Sequence, residues 1–77
     1  ADIAIAGRRI GIVWKEFDGE RTQLHAEISE DGGASFKRLA LGAANGASDH
    51  PRAISFGKDL FAYWRTELEG MRVFRLP

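Results

Sequence analysis

Cysteine is absent from the 77 residues, so neither a disulfide nor a thiolate metal site can stabilise the fold. Histidine is scarce, and His25 and His50 are too isolated to indicate a zinc site. No charge sign dominates: eleven Lys and Arg balance eleven Asp and Glu. The basic residues are also scattered, which argues against nucleic acid as a partner. No apolar run approaches the roughly 20 residues of a membrane-spanning helix, so no membrane partner is expected. Ala1-Asp2-Ile3-Ala4 shows neither a charged leader nor an apolar signal core. There is no glycine loop of phosphate-binding form. Asp31-Gly32-Gly33 lacks the further carboxylates of a calcium loop. Neither a cofactor nor a metal is expected.

Helical periodicity is missing as well. What remains is a series of short apolar runs cut by glycine-bearing turns, the pattern of an all-β chain. Asp2–Ala6 reads as a short strand and Gly7–Arg9 as a turn. Ile10–Phe17 is the longest apolar strand, with Ile10, Ile12 and Trp14 on one face and Gly11, Val13 and Phe17 on the other. Such a strand is expected to be covered on both faces. Asp18-Gly19 signals a hairpin. Thr22–Ile28 alternates, placing Leu24, Ala26 and Ile28 inward and Gln23, His25 and Glu27 outward. Lys37–Leu41 makes a fourth strand, so residues 2–41 form an up-and-down antiparallel sheet. Gly42–His50 reads as a loop. After Pro51 come Arg52–Phe56, a turn at Gly57–Asp59, a strand at Leu60–Arg65, and a last strand at Met71–Leu76.

Between the third and fourth strands lies Ser29-Glu30-Asp31-Gly32-Gly33-Ala34-Ser35-Phe36. Its short polar side chains suit a turn whose backbone N–H groups need acceptors. Asp31, Ser29 and Ser35 supply oxygens, Gly33 suits a positive φ, and Phe36 is expected to pack back on the sheet. This Ser-x-Asp-x-Gly-x-Ser-Phe pattern resembles the Asp-box, or BNR repeat, of the sialidase-like β-propellers. The resemblance is close over Ser29–Phe36 and looser elsewhere, with Pro51–Arg65 similar to the inner strands of such a repeat. It implies that Ser29, Asp31, Gly33, Ser35 and Phe36 are structural, and that Asp31 is not catalytic.

Fifty positions separate Gly7 from Gly57, Ile10 from Leu60, Trp14 from Trp64, and Lys15 from Arg65. A period near fifty fits a propeller array. The expected architecture is one four-stranded blade (about residues 2–41) and three strands of a second (about 52–77), within a single propeller segment 1–77. Such faces cannot be buried by two blades alone. The reading is an excerpt of a longer propeller with flanking blades, or a chain that closes a ring as a homo-oligomer. Three such chains would supply the six blades usual in sialidase relatives.

The turns at Gly7–Arg9, Ser29–Phe36 and Gly57–Asp59 should share one rim of the sheets. Asp18–Arg21, the Gly42–Arg52 loop and Thr66–Gly70 should share the other, where propeller ligands usually bind. Asp49, His50 and Arg52 are the ligand-binding candidates, with Asp18, Glu20, Glu67 and Glu69 behind them. Each also has an ordinary reading as a solvated loop residue. Sialidases of the resembling family use an arginine triad, a tyrosine with a glutamate partner, and an aspartic acid, drawn from several blades. Tyr63 and Arg65 share a strand face, but Tyr63 beside Trp64 reads first as core. Ser48-Asp49-His50 has triad residue types without triad spacing. The leading expectation is a non-catalytic segment binding a glycan or a protein at the loop rim. The alternatives are a fragment of a sialidase-like glycoside hydrolase with most catalytic residues elsewhere, and a self-associating blade module. An extracytoplasmic location, periplasmic or secreted, is implied by the resemblance alone.

Overall fold

Each of the seven apolar runs forms a strand in the computed structural model, which describes all of residues 1–77. Strands β1 (Asp2–Ala6), β2 (Arg9–Phe17), β3 (Thr22–Ser29) and β4 (Lys37–Ala44) make one antiparallel sheet in that order. Strands β5 (Arg52–Phe56), β6 (Asp59–Thr66) and β7 (Gly70–Leu76) make a second. The fold is therefore all-β, with four strands in one sheet and three in the other.

The turns explain the short connections. At the β2–β3 hairpin Asp18 Oδ1 accepts from the N–H groups of Glu20 (2.9 Å) and Arg21 (2.8 Å), while Gly19 takes φ 100°. Asp18 Oδ2 also accepts from Gln23 at 2.7 Å. These bonds favour the ionised carboxylate and hold its pKa below the ordinary value, the backbone amides of Arg21 and Glu20 contributing most.

One boundary differs from expectation. Gly42, Ala43 and Ala44 continue β4 instead of opening the loop, pairing with Leu24, Gln23 and Thr22. A register shift at Leu24/His25 accommodates Leu41 as the extra residue. A bulge of this kind lets a weak strand former such as Gly42 keep its ladder bonds. The connecting segment is likewise held by backbone pairing. Asp49 N–H donates to the Arg65 carbonyl at 2.8 Å and Glu67 N–H to the Ala47 carbonyl at 2.9 Å. Residues 47–49 thus extend the line of β5 along the end of β6.

The two sheets pack face to face and approach most closely at β1 and β5. The shared core contains Ala4, Val13, Ala26, Leu60, Ala62 and Leu76, with Leu24 and Trp64 in a second cluster. Small residues permit the close approach. A Cβ placed on Gly11 would lie 3.0 Å from Leu76 Cδ1 and 3.3 Å from Leu60 Cδ1. Burying Leu24 or Leu60 completely contributes about 1.5–3 kcal/mol each. Arg9 ties the edge of this contact, donating from Nη1 to the Lys58 carbonyl at 3.0 Å and from Nη2 to the Leu76 and Pro77 carbonyls.

The inward set Leu24, Ala26 and Ile28 is buried as expected. On β2 the buried face is that of Gly11 and Val13, while Ile10, Ile12 and Trp14 are only half-buried. The expectation of cover on both faces is met on one face within this chain. The open face is partly shielded by its own side chains. Trp14 stacks on His25 at 5.8 Å, lies under the Arg38 guanidinium at 5.0 Å, and donates to Glu16 Oε1 at 2.8 Å.

Candidate functional site

Two polar regions lie at opposite ends of the strands, and their chemistry differs. The Ser29–Phe36 turn is closed on itself. Ser29 is buried at 1% exposure and donates its hydroxyl to Asp31 Oδ1 at 2.8 Å. It accepts from the N–H groups of Gly33 at 2.8 Å and Asp31 at 3.4 Å. Asp31 accepts from the Ser35 N–H at 3.0 Å and the Ser35 hydroxyl at 2.6 Å. These bonds, those from Ser35 first and Ser29 next, lower the Asp31 pKa from 3.8 to about 2. Gly32 and Gly33 both require positive φ, 74° and 100°, one more than the sequence indicates. Gly32 N–H reaches the Arg8 carbonyl at 2.9 Å and ties this turn to the β1–β2 turn.

Phe36 departs from its expected role. It remains 43% exposed and lines a shallow cavity of about 370 Å3 with Ile28, Leu39 and Pro77. The turn is anchored by Ser29 and the glycine backbone, with Phe36 contributing a partial apolar cover. Of the polar groups in this cavity, Asp31 and Ser35 are already bonded to each other, while the exposed Glu30 and Lys37 complete its lining.

At the other end a cleft of about 550 Å3 gathers Lys15, Asp49, His50, Arg52, Tyr63 and Arg65. The candidates Asp49, His50 and Arg52 are therefore brought together. A smaller depression of about 370 Å3 beside it shares Lys15, His50 and Arg52 and adds Trp14. Paired backbone positions the residues. β6 presents Tyr63 and Arg65 on one face, and the 47–49 segment bonded to its end carries Asp49 and leads into His50. Lys15 Nζ donates to the Ser48 carbonyl at 2.8 Å and pins the segment from β2.

Arg52 and Asp2 lock the first strands of the two sheets together. Arg52 Nε donates to Asp2 Oδ2 at 3.2 Å, and Ala53 N–H reaches the same oxygen at 2.8 Å. The Ala53 amide first, and Arg52 after it, hold the Asp2 carboxyl below its ordinary range. Arg65 is exposed and forms no ion pair.

Three of the four acidic residues placed behind the candidates have other duties, Glu20 being the exception. Asp18 caps its own hairpin. Glu67 Oε2 accepts from the Ala47 N–H at 3.1 Å, and Glu69 pairs with Arg72 at 2.7 Å. No group of three His, Asp or Glu side chains converges on a point where a metal ion would bind. Lys15 is the cleft residue that loop-based reasoning passes over. Its match with Arg65 at the fifty-residue spacing is the signal that marks it, since both lie at the same place on equivalent strands. Comparison of the chain with family models, curated proteins and solved structures finds no match.

Proposed function

We propose that this chain is a non-catalytic segment of an Asp-box β-propeller and that its loop-rim cleft binds a glycan. Support for the propeller comes from three features together. The Ser29–Ser35 bonds close the turn between the outer two strands of the first sheet. The two antiparallel sheets stack face to face, closest at their first strands β1 and β5. The strands repeat at a spacing of fifty. In propellers, small antiparallel sheets are arranged radially about a central channel.

The observation that carries the ligand is the cleft's composition. Arg65 supplies an unpaired cationic donor, Lys15 and Arg52 the donor hydrogens left beside their bonds to Ser48 and Asp2, Asp49 an acceptor, and Tyr63 an amphipathic ring. A sugar presents hydroxyls in fixed directions with an apolar ring face between them, and such a mixture meets both. Asp49 is the one carboxylate in the lining. Glycoside hydrolysis by the usual route needs a pair, so this composition supports binding over bond cleavage.

The test is a titration of the labelled chain with neutral and carboxylate-bearing oligosaccharides, followed residue by residue in amide spectra. Shifts confined to residues 48–52 and 63–65, reduced in Arg65→Ala, support the proposal. Shifts centred on Ser29–Phe36, or no saturable shift with any oligosaccharide, overturn it.

A further inference from the structure

The contact between the two sheets joins unlike faces of a repeated unit, and it leaves a second pair of unlike faces open. At the fifty-residue spacing Ile3, Ile10, Ile12 and Trp14 correspond to Ala53, Leu60, Ala62 and Trp64. The second group lines the inner face of the three-stranded sheet, whereas the first lies on the outer face of the four-stranded sheet. Conversely, Ala4, Gly11 and Val13 on the inner face of the first sheet correspond to Ile54, Phe61 and Tyr63 on the outer face of the second. The third strands follow the same rule. Ala26 lies opposite Val13 as Val73 lies opposite Tyr63, and Ser29 lies opposite Ile10 as Leu76 lies opposite Leu60. Each outer face therefore repeats, by position, the inner face of the other sheet.

We propose that the outer face of the three-stranded sheet docks the outer face of the four-stranded sheet of a second copy of this chain, head to tail. The contact already present inside the chain specifies the geometry of the new one. Both faces expose apolar side chains, the first along β1 and the second along β7, and on the first they lie beside the polar row His25, Glu27 and Ser29 of β3. Ile3 is 54% and Ile5 58% exposed on one; Met71 is 57% and Val73 64% exposed on the other. Several exposed apolar side chains on one sheet face suit an interaction site.

Size and charge favour opposite faces over like ones. Inside the chain Gly11 makes room for Leu76. In the second contact Phe61 takes the place of Gly11, and Ser29, buried under its own turn, leaves the position of Leu76 without a projecting side chain. On the first sheet the outward charges are Glu16, Glu27 and Arg38, which is net acidic. On the second they are Arg65, Arg75 and Asp59, net basic, with Arg75 bonded to Asp59 at 2.9 Å. Arg52, at the strand edge, is engaged by Asp2. A head-to-tail contact of this type leaves one free face at each end and either closes into a ring or extends. The proposal stands on strand positions; because Tyr63, Arg65 and Met71 of this face also line the loop-rim cleft, a docked copy would close that side of it, and assembly is therefore read by mass and not by ligand binding.

The test uses two surface variants of the intact chain. Ile3→Glu blocks the outer face of the first sheet and Val73→Glu that of the second. Both side chains are exposed, so the fold within one copy is preserved, and circular dichroism checks this. Light scattering of the unmodified chain should show assembly that grows with concentration. Each variant alone should be a folded monomer. Mixed together, the two should form a dimer and nothing larger, because one live face remains on each. An unmodified chain that is a folded monomer at all concentrations overturns the proposal. So does either variant dimerising alone, which would indicate pairing of like faces.

Discussion

The two rims of the molecule use similar residues to opposite ends. At the turn rim Ser29, Asp31 and Ser35 spend their hydrogen-bonding capacity on one another and on local amides. At the loop rim Lys15 and Arg52 hold the scaffold, while Arg65 stands exposed beside them without an ion-pair partner. A saturated polar cluster stabilises its own segment and offers little to a ligand. An unsaturated one adds little stability and keeps its donors available. The distinction separates an acidic turn that looks like an active site from a cleft that is suited to binding.

The strongest challenge to this comparison is Ser29→Ala. Ser29 is buried, and its loss leaves the Gly33 N–H without its acceptor and removes a donor to Asp31. Chemical denaturation should show a loss of about 2–3 kcal/mol, since three hydrogen bonds made by the buried hydroxyl are lost at about 1 kcal/mol each. Gly33→Ala should cost less, about 1–2 kcal/mol. A Cβ there meets Ile10 Cδ1 at an ordinary 3.6 Å, so backbone strain at φ 100° is the whole effect. A Gly33→Ala variant as stable as the parent would mean that the turn relaxes freely and is no clasp.

Acid should sharpen the same point. The folded-state pKa of Asp31 is lowered from 3.8 to about 2. Its stabilising contribution is therefore complete above about pH 4 and is lost as the pH falls towards 2. The lowered pKa values of Asp2 and Asp18 act in the same direction. Asp31→Asn should flatten the decline of stability between pH 4 and 2 without abolishing it, as followed by thermal unfolding at stepped pH. An unchanged slope would show that the serine hydroxyls bond the neutral side chain equally well.

Much of the fold is legible in the residues, for identifiable reasons. Leu24, Ala26 and Ile28 alternate with polar neighbours and fall inward as that alternation dictates. On β2 both faces are apolar, so local pattern carries no preference. Burial there follows from where Leu60 and Leu76 find room, which is over Gly11. Gly42-Ala43-Ala44 has weak strand propensity, and only the bulge beside Leu24 reveals it as part of β4. Phe36 looks like an anchor by its size alone, yet the neighbouring hydrogen bonds do that work. Of the cleft, Asp49, His50 and Arg52 follow from their place on the connecting loop. Lys15 requires the repeat to be seen, because a lysine in the middle of an apolar strand otherwise reads as surface.

The smallest effect expected on stability is that of Arg65→Ala, and its smallness is informative. Arg65 is exposed, lies near the end of β6, and has no ion pair to lose. Its backbone carbonyl, which accepts from Asp49 N–H, is retained in the variant. Denaturation should therefore shift by no more than about 0.5 kcal/mol. The same variant should weaken oligosaccharide binding at the cleft, since a cationic donor is lost from an otherwise intact lining. If Arg65→Ala destabilised the chain as much as Ser29→Ala does, the guanidinium would be part of the scaffold. The contrast between a saturated turn and an available cleft would then fail at the residue on which it most depends.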